Sequence, residues 1–238
     1  MISLGNRMKE YEKVTQINLI KKMPVILRID GKAFHTYTRG MNRPWDDNLY
    51  KAFSETALEL CSEIQGSKLA YFQSDEISIL LTDYEKIETQ SWFNNNLQKI
   101  VSISSSIATA KFNSVINNLI HENNKIALFD CRVFNLPISE VCNYFIWRQN
   151  DCTKNSIQML ARSEFSHKEL NRLNCDQLQE KLFTERDINW NDISTKFKRG
   201  SCVIKQNVNI DGIDRSKWIV DEEIPLFTKN REYINSLI

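Results

Sequence analysis

Three carboxylates stand where β-rich runs stop. Asp30 ends the segment PVILRID (24–30) and is followed by Gly31, while Asp75 and Glu76 fall between the apolar runs KLAYFQ (68–73) and ISILL (77–81). A carboxylate in such a place must face solvent or bind something, because burying it bare is costly. If the strand at 24–30 pairs beside the 68–81 hairpin, Asp30 and Asp75 lie on one face within reach of a common ion. Two carboxylates, the Gly31 carbonyl and water form a hard oxygen site, which suits Mg²⁺ working alongside substrate phosphates. Such a site can hold two ions bridging the attacking and leaving oxygens of phosphoryl or nucleotidyl transfer. On spacing alone a second reading stays open, in which Asp30 caps a turn and Asp75 and Glu76 fill a hairpin loop.

The flanking residues favour phosphate chemistry. Gly31, Lys32, Ala33, Phe34 and His35 follow Asp30 directly, and Arg39, Arg43 and Pro44 precede a helical pattern. Backbone N–H groups of such a loop can hold phosphate oxygens. Ser74 can donate to a phosphate, and Lys99 projects from the longest helical pattern. His35 reads either as a satisfied loop histidine or as a base.

The elements that must position these residues follow from periodicity. Residues 3–20 carry Met8, Tyr11, Val14 and Ile17 about three apart, an amphipathic helical spacing. Residues 24–30 read as a buried strand. Leu49, Phe53, Ala57, Leu60 and Ile64 share one face of a helix over 45–64, with Pro44 ahead and Gly66 behind as start and stop. Residues 68–81 read as a β-hairpin with acids at its tip. A long helix spans 90–119, a strand 125–134, and helical pattern runs from Pro137 to about residue 184, with Ser166 as an N-cap before HKEL. Short strand-like runs follow at 201–208 and 217–220. This order predicts an α+β fold: an antiparallel sheet with the helices at 45–64 and 90–119 packed on one face, and a smaller, mostly helical C-terminal region. The core unit covers about residues 1–135, and a smaller unit follows at 136–238.

Composition limits the alternatives. The 238 residues predict one domain or two packed subdomains, enough to bury a core without metal clips or disulfides. With 31 Lys and Arg against 30 Asp and Glu, the net charge of +1 excludes histone-like coating proteins and acidic disordered chains, but not a local basic groove. Six Gly and four Pro leave little for linkers. Cys61, Cys131, Cys142, Cys152, Cys175 and Cys202 are scattered without a C-x-x-C pair, which predicts reduced, partly buried thiols and no structural zinc. Charges interrupt the long apolar runs and the first residues lack a signal pattern, so a soluble, cytoplasmic protein without membrane contact is expected.

RIDGKAFHTYT (28–38), RPWD (43–46) and AYFQSDEISILL (70–81), in that order and spacing, resemble the tRNA-His guanylyltransferase superfamily; WRQNDCTKNSI (147–157) and FKRG (197–200) extend the likeness more weakly. The resemblance implies a polymerase-palm-like sheet with two Mg²⁺ ions in a catalytic unit at 1–135, a C-terminal region at 136–238 that completes the nucleotide and tRNA site, and nucleotide addition to the 5′ end of tRNA in the 3′-to-5′ direction. It implies Asp30, the Gly31 carbonyl and Asp75 as metal ligands with Glu76 beside them as a third catalytic acid. It places His35, Arg43, Asp46, Ser74 and Lys99 at positions that contact nucleotide or triphosphate. The 3′-hydroxyl of an incoming NTP would attack the activated 5′ phosphate of the RNA, activation coming from the RNA's own triphosphate or from adenylylation by ATP, so ATP and GTP are expected substrates. The family also tends to form homotetramers.

One segment departs from the family's pattern. The eukaryotic enzymes carry H-I-N-N-L-Y-N after the D-C pair; here Thr153 replaces the His and Met159 the last Asn, while Asn155 is kept. The segment is similar to the bacterial and archaeal guanylyltransferase-like branch, whose members resemble template-dependent polymerases that repair 5′-truncated tRNA. The alternatives are a tRNA-His-specific guanylyltransferase, a palm-type nucleotide cyclase or phosphohydrolase, and a tRNA-binding protein with a vestigial site. Arg148, Lys154, Asn155 and Arg162, with Lys196, Lys198 and Arg199, are candidate tRNA contacts. Trp147, within a helical pattern, is expected to pack in the core.

Overall fold

The computed structural model describes residues 2–120, 125–210 and 213–238. In chain order the elements are α1 (Leu4–Lys13), β1 (Val25–Gly31), α2 (Phe34–Tyr37), α3 (Asp47–Glu63), β2 (Ser67–Gln73), β3 (Glu76–Leu81), α4 (Leu97–Leu119), β4 (Phe129–Asn135), α5 (Ile138–Glu164), α6 (His167–Leu170), α7 (Cys175–Arg186), α8 (Thr195–Arg199), β5 (Ser201–Ile210), β6 (Ile213–Asp221) and α9 (Glu232–Asn235). The strands form one antiparallel sheet in the order β4-β1-β3-β2-β5-β6. The expected α+β architecture is therefore present. Helical from 138 to 199, the second half of the chain then adds β5 and β6 to the same sheet, so the sheet runs across residues 135 and 136.

Alternation along the strands sorts side chains between two faces. Val25, Leu27 and Ile29 of β1 join Ile77, Ile79 and Leu81 of β3 in a core shared with α3 and α4. Ile26 and Leu80 face the other way, with Tyr71 and Cys202, onto Val141, Cys142, Tyr144 and Phe145 of α5 and onto Ile224, Phe227 and Ile234. The sequence periodicity placed helices on the first face; α5 covers part of the second. Its later turns leave the sheet and build a third cluster, in which Ile157, Leu160 and Ala161 pack on Leu178, Leu182 and Trp190.

Several local predictions hold and some are corrected. Asp46 caps α3 by accepting from the N–H groups of Asn48 and Leu49, and Ser166 and Glu169 form a capping box at α6. The helix expected over 3–20 stops at Lys13 and buries no residue, leaving Leu4, Met8 and Tyr11 exposed; residues 17–20 run alongside the start of α4 instead. The 90–119 helix begins at Leu97, because Phe93, Asn94 and Asn95 adopt left-handed backbone. Glu76 is the first residue of β3, so only Asp75 of the two acids lies in the hairpin turn. The six cysteines are free thiols, five of them buried. No helix among the described residues is long and apolar enough to cross a membrane.

Phe34 joins the site loop to the main core. Its ring lies 4.9 to 5.6 Å from the rings of Tyr37, Phe53, Phe112 and Phe129, and a Cβ at position 31 would strike it at 2.2 Å, so glycine is required there. Phe34→Ala is expected to destabilise the fold by about 3–5 kcal/mol in denaturant unfolding, the range for a fully buried aromatic. A loss well under 1 kcal/mol would show that the cluster does not anchor this loop.

Candidate active site

Strand register puts the acids together. Asp30 pairs with Glu76 on β3 and with Asp130 on β4, and Arg28, two residues earlier on the same face, pairs with Ser78 and Arg132. The two-residue turn Ser74–Asp75 folds back on β1, where the Gly31 N–H donates to the Asp75 carbonyl at 3.0 Å. Two residues beside the acids, Ala33 (φ 52°) and Ser74 (φ 51°), hold left-handed backbone that costs free energy outside glycine. The acids therefore sit on backbone that the surrounding sheet and aromatic core must force into place.

Asp30 and Asp75 are poorly compensated. Burial raises the Asp75 carboxyl above its ordinary value, and the negative Asp30 adds to the rise; its backbone, the Ser74 hydroxyl and His35 oppose it only in part. Asp30 is raised chiefly by burial too, with Arg28 opposing and Asp130 adding to it. Arg28 and Arg132 each stand 3.8 Å from the Asp30 carboxylate, long for a hydrogen-bonded pair. Two such carboxylates beside the Gly31 backbone form a donor set that fits a hard divalent cation. Among the described residues no three or more His, Cys, Asp or Glu side chains are placed to hold a metal ion together. A cation here would take its remaining ligands from water and phosphates, as Mg²⁺ commonly does.

Glu76, expected beside the metal ligands, is held in an internal ion pair. Arg148 on α5 donates from Nε and Nη2 to its two oxygens, each at 2.7 Å, and the Ser78 hydroxyl donates to Oε1 at 3.2 Å. Both partners are buried. Burial works against both charges: it raises the Glu76 carboxyl although Arg148 and Arg28 oppose it, while Glu76 and Asp151 together hold the Arg148 guanidinium above its ordinary value. The expected catalytic acid is thus committed to an internal ion pair, and so is the expected tRNA contact Arg148.

A cavity of about 620 Å³ opens beside Asp75. Gly31, Ala33, Phe34, His35, Arg43, Asp46, Ser74 and Asp75 line one side, and Asn155, Met159 and Arg162 line the other from successive turns of α5. Asp46 reaches the cavity with its oxygens already taken by three backbone N–H groups, those of Asn42, Asn48 and Leu49. Lys32 is exposed outside it, its N–H donating to the Leu128 carbonyl. Lys99 is not brought in. It lies in the first turn of α4, which bonds to residues 17–20, and these reach Asn135 at the opposite end of β1 from Asp30.

Among the other candidate RNA contacts, Lys154 is exposed and Arg199 half-buried. Lys198 is buried, donating to the Asn191 carbonyl, with its charge disfavoured mainly by that burial. Lys196 does line the cavity, over the rings of Tyr50 and Phe197. Trp45 and Phe197 close the cavity as a stacked pair with centroids 5.1 Å apart, a feature that residue spacing did not single out although both fall in the quoted segments RPWD and FKRG. Thr153, where the family has His, turns toward α8, whereas the altered Met159 faces the cavity. Trp147 is 53% exposed and not in the core as expected.

This geometry agrees with what the chain is similar to. The sequence profile described as tRNAHis guanylyltransferase matches residues 5–137. The chain belongs to the tRNAHis guanylyltransferase family. A solved bacterial tRNA(His) guanylyltransferase-like protein in complex with ATP is 52% identical over 99% of both chains, with a TM-score of 0.92. A second such structure, in complex with GTP, is 47% identical over 99% of both chains, with a TM-score of 0.85. The tRNA(His) guanylyltransferase of Debaryomyces hansenii is 28% identical over 212 residues, covering 81% of this chain and 78% of that one. Members of the family are nucleotidyltransferases, and this chain is an enzyme of that class.

Separating the acids by task gives a stability test. An acid whose folded value is raised binds its proton more tightly folded than unfolded, so stability falls as pH climbs from the unfolded value of about 4 through the raised one and stays reduced above it. Asp75→Asn removes that penalty, and its melting temperature at pH 7 without divalent ions should equal or exceed the wild type's. Glu76→Gln strands a buried guanidinium and should cost about 3–5 kcal/mol. The opposite ranking in thermal melts would return Glu76 to the ligand set.

Proposed function

We propose that this protein is a Mg²⁺-dependent 3′-to-5′ nucleotidyltransferase that adds nucleotides to the 5′ end of tRNA, copying the opposing strand to repair 5′-truncated molecules. The observation that carries the reading is the undercompensated Asp30–Asp75 pair at the edge of a nucleotide-sized cavity. The ATP and GTP complexes of the bacterial relatives support a nucleoside triphosphate as occupant. Asp30, Asp75 and the Gly31 carbonyl would hold two Mg²⁺ ions, which when bound neutralise phosphate charge and lower the pKa of an attacking hydroxyl.

The chain's own residues do the positioning. Arg43, Ser74 and His35, on one wall, are placed to bind the triphosphate, and Asn155 and Arg162 face it from α5. The stacked Trp45 and Phe197 shield that end of the cavity from water. Held there, the NTP presents its 3′-hydroxyl to the 5′ phosphate of the RNA. The hydroxyl oxygen bonds to that phosphorus, its proton leaves to solvent or base, and pyrophosphate departs, or AMP where ATP had adenylylated the end.

The replaced Met159 at the cavity favours templated repair over guanylation restricted to tRNA-His, since it removes an amide from a wall that faces the nucleotide. The same reading carries a cytoplasmic location and a homo-oligomer, the latter supported by the exposed apolar residues of α1.

The test is extension of a tRNA lacking its first nucleotide, in four versions differing in the opposing base, with Mg²⁺ and labelled NTPs. The added nucleotide should follow the opposing base. Addition of G whatever the opposing base would favour the tRNA-His-specific enzyme, and NTP consumption without extension would favour a cyclase or phosphohydrolase.

A further inference from the structure

Trp147 is exposed and yet held in one orientation. The Arg148 guanidinium lies 4.4 Å from its ring centroid, and Arg148 is itself fixed by the bidentate contact with Glu76. The Tyr144 ring meets it edge-on at 5.8 Å. A rigid indole left 53% exposed leaves apolar surface open for a ligand.

The ring's surroundings suit a nucleic acid. Arg28 lies 6.0 Å from the ring, and its cross-strand partner Arg132 is exposed. The Arg28 Nε is buried without a hydrogen-bond partner. Both arginines stand beside Asp30. Asp130 and Arg132 are solvent-exposed, so this part of the sheet forms an open shelf with Trp147 as its wall. None of Trp147, Arg28 and Arg132 lines the nucleotide cavity, which Asp75 does line.

We propose that Trp147 is the stacking platform for the terminal nucleobase of the RNA's 5′ end, with Arg28 and Arg132 beneath it facing the attached phosphates. The inference rests on the nucleotidyltransferase reading and deepens it by assigning the second reactant its own place. The shelf and the cavity meet at Asp30 and Asp75, so an RNA end on one side and an NTP on the other bring their reacting atoms to the same acids. Stacking on one aromatic face tolerates any base, because every base has a π-face. Such tolerance is what an enzyme repairing ends of varied sequence requires. A lone aromatic between arginines matches a flat base bearing phosphate better than the apolar face of a peptide.

The experiment compares wild type, Trp147→Ala and Trp147→Phe on truncated tRNA whose 5′-terminal residue is either normal or abasic. Trp147→Ala should raise the KM for normal tRNA about tenfold, within the range of one base–aromatic stack. It should leave the Kd for GTP, measured without RNA, unchanged, and Trp147→Phe should recover most of the loss. The abasic residue should raise the wild-type KM by a similar factor and the alanine variant's hardly at all. If alanine prevents folding, Trp147→Phe carries the test, with an abasic penalty smaller than the wild type's. A wild-type KM for tRNA in the alanine variant, or equal abasic penalties in all the enzymes, overturns this proposal alone. Absence of extension by the wild type overturns the nucleotidyltransferase reading, and this proposal with it.

Discussion

The buried ion pair between Glu76 and Arg148 joins the two halves of the site. Glu76 opens β3, next to the turn that carries Asp75, and Arg148 sits midway along α5. Through this contact the helix is fastened to the end of the sheet where Asp30 and Asp75 lie. The same helix then supplies one wall of the cavity from Asn155 to Arg162 and, on the near side, the exposed Trp147. Three long-range side-chain-to-backbone hydrogen bonds add ties around it: Tyr71 of β2 donates its hydroxyl to the Arg199 carbonyl, and Gln149 of α5 donates to the Pro225 carbonyl and accepts from the Phe227 N–H. A buried pair is a poor source of net stability. Its use here is positional, since it fixes the register of α5 over the strand ends.

Adjacent acids in one strand–turn–strand segment thus have opposite environments. Glu76 has every oxygen satisfied by a cation and a hydroxyl, and it behaves as scaffold. Asp75 and Asp30 are raised chiefly by burial, which Ser74 and His35 at one and Arg28 at the other offset only in part, leaving charge for a bound cation to balance. The contrast arises from strand alternation and from one arginine 72 residues away.

Much of this was legible in the residues themselves. The strand at 24–30, the hairpin and the helix after Pro44 follow from local periodicity and from Pro and Gly punctuation, which report directly on backbone. The ordered motifs around Asp30, Arg43 and Asp75 lie on loops next to one another and do come together. What could not be read depends on partners far off in the chain. Arg148 and Lys198 look like free surface cations in sequence, and only the fold supplies Glu76 to one and the Asn191 carbonyl to the other. Lys99 sits on a helix long enough that its first turn lies at the wrong end of the sheet. The apolar period of α1 is genuine, but no described surface of the chain meets it. Trp147 lies within a helical pattern like the core residues, yet it is exposed, with Arg28 of β1 as a neighbour.

The central claim is that Asp30 and Asp75 are held in mutual repulsion for the sake of a cation that arrives with nucleotide. Thermal unfolding of wild type, Asp30→Asn and Asp75→Asn across a Mg²⁺ titration, with and without GTP, addresses it most directly. The account predicts that Mg²⁺ raises the wild-type Tm, more steeply when GTP is present, by mass action on the folded state. Both Asn variants should respond weakly to Mg²⁺ and lose the extra gain from GTP. An equal Mg²⁺-dependent rise in all three proteins would contradict the account.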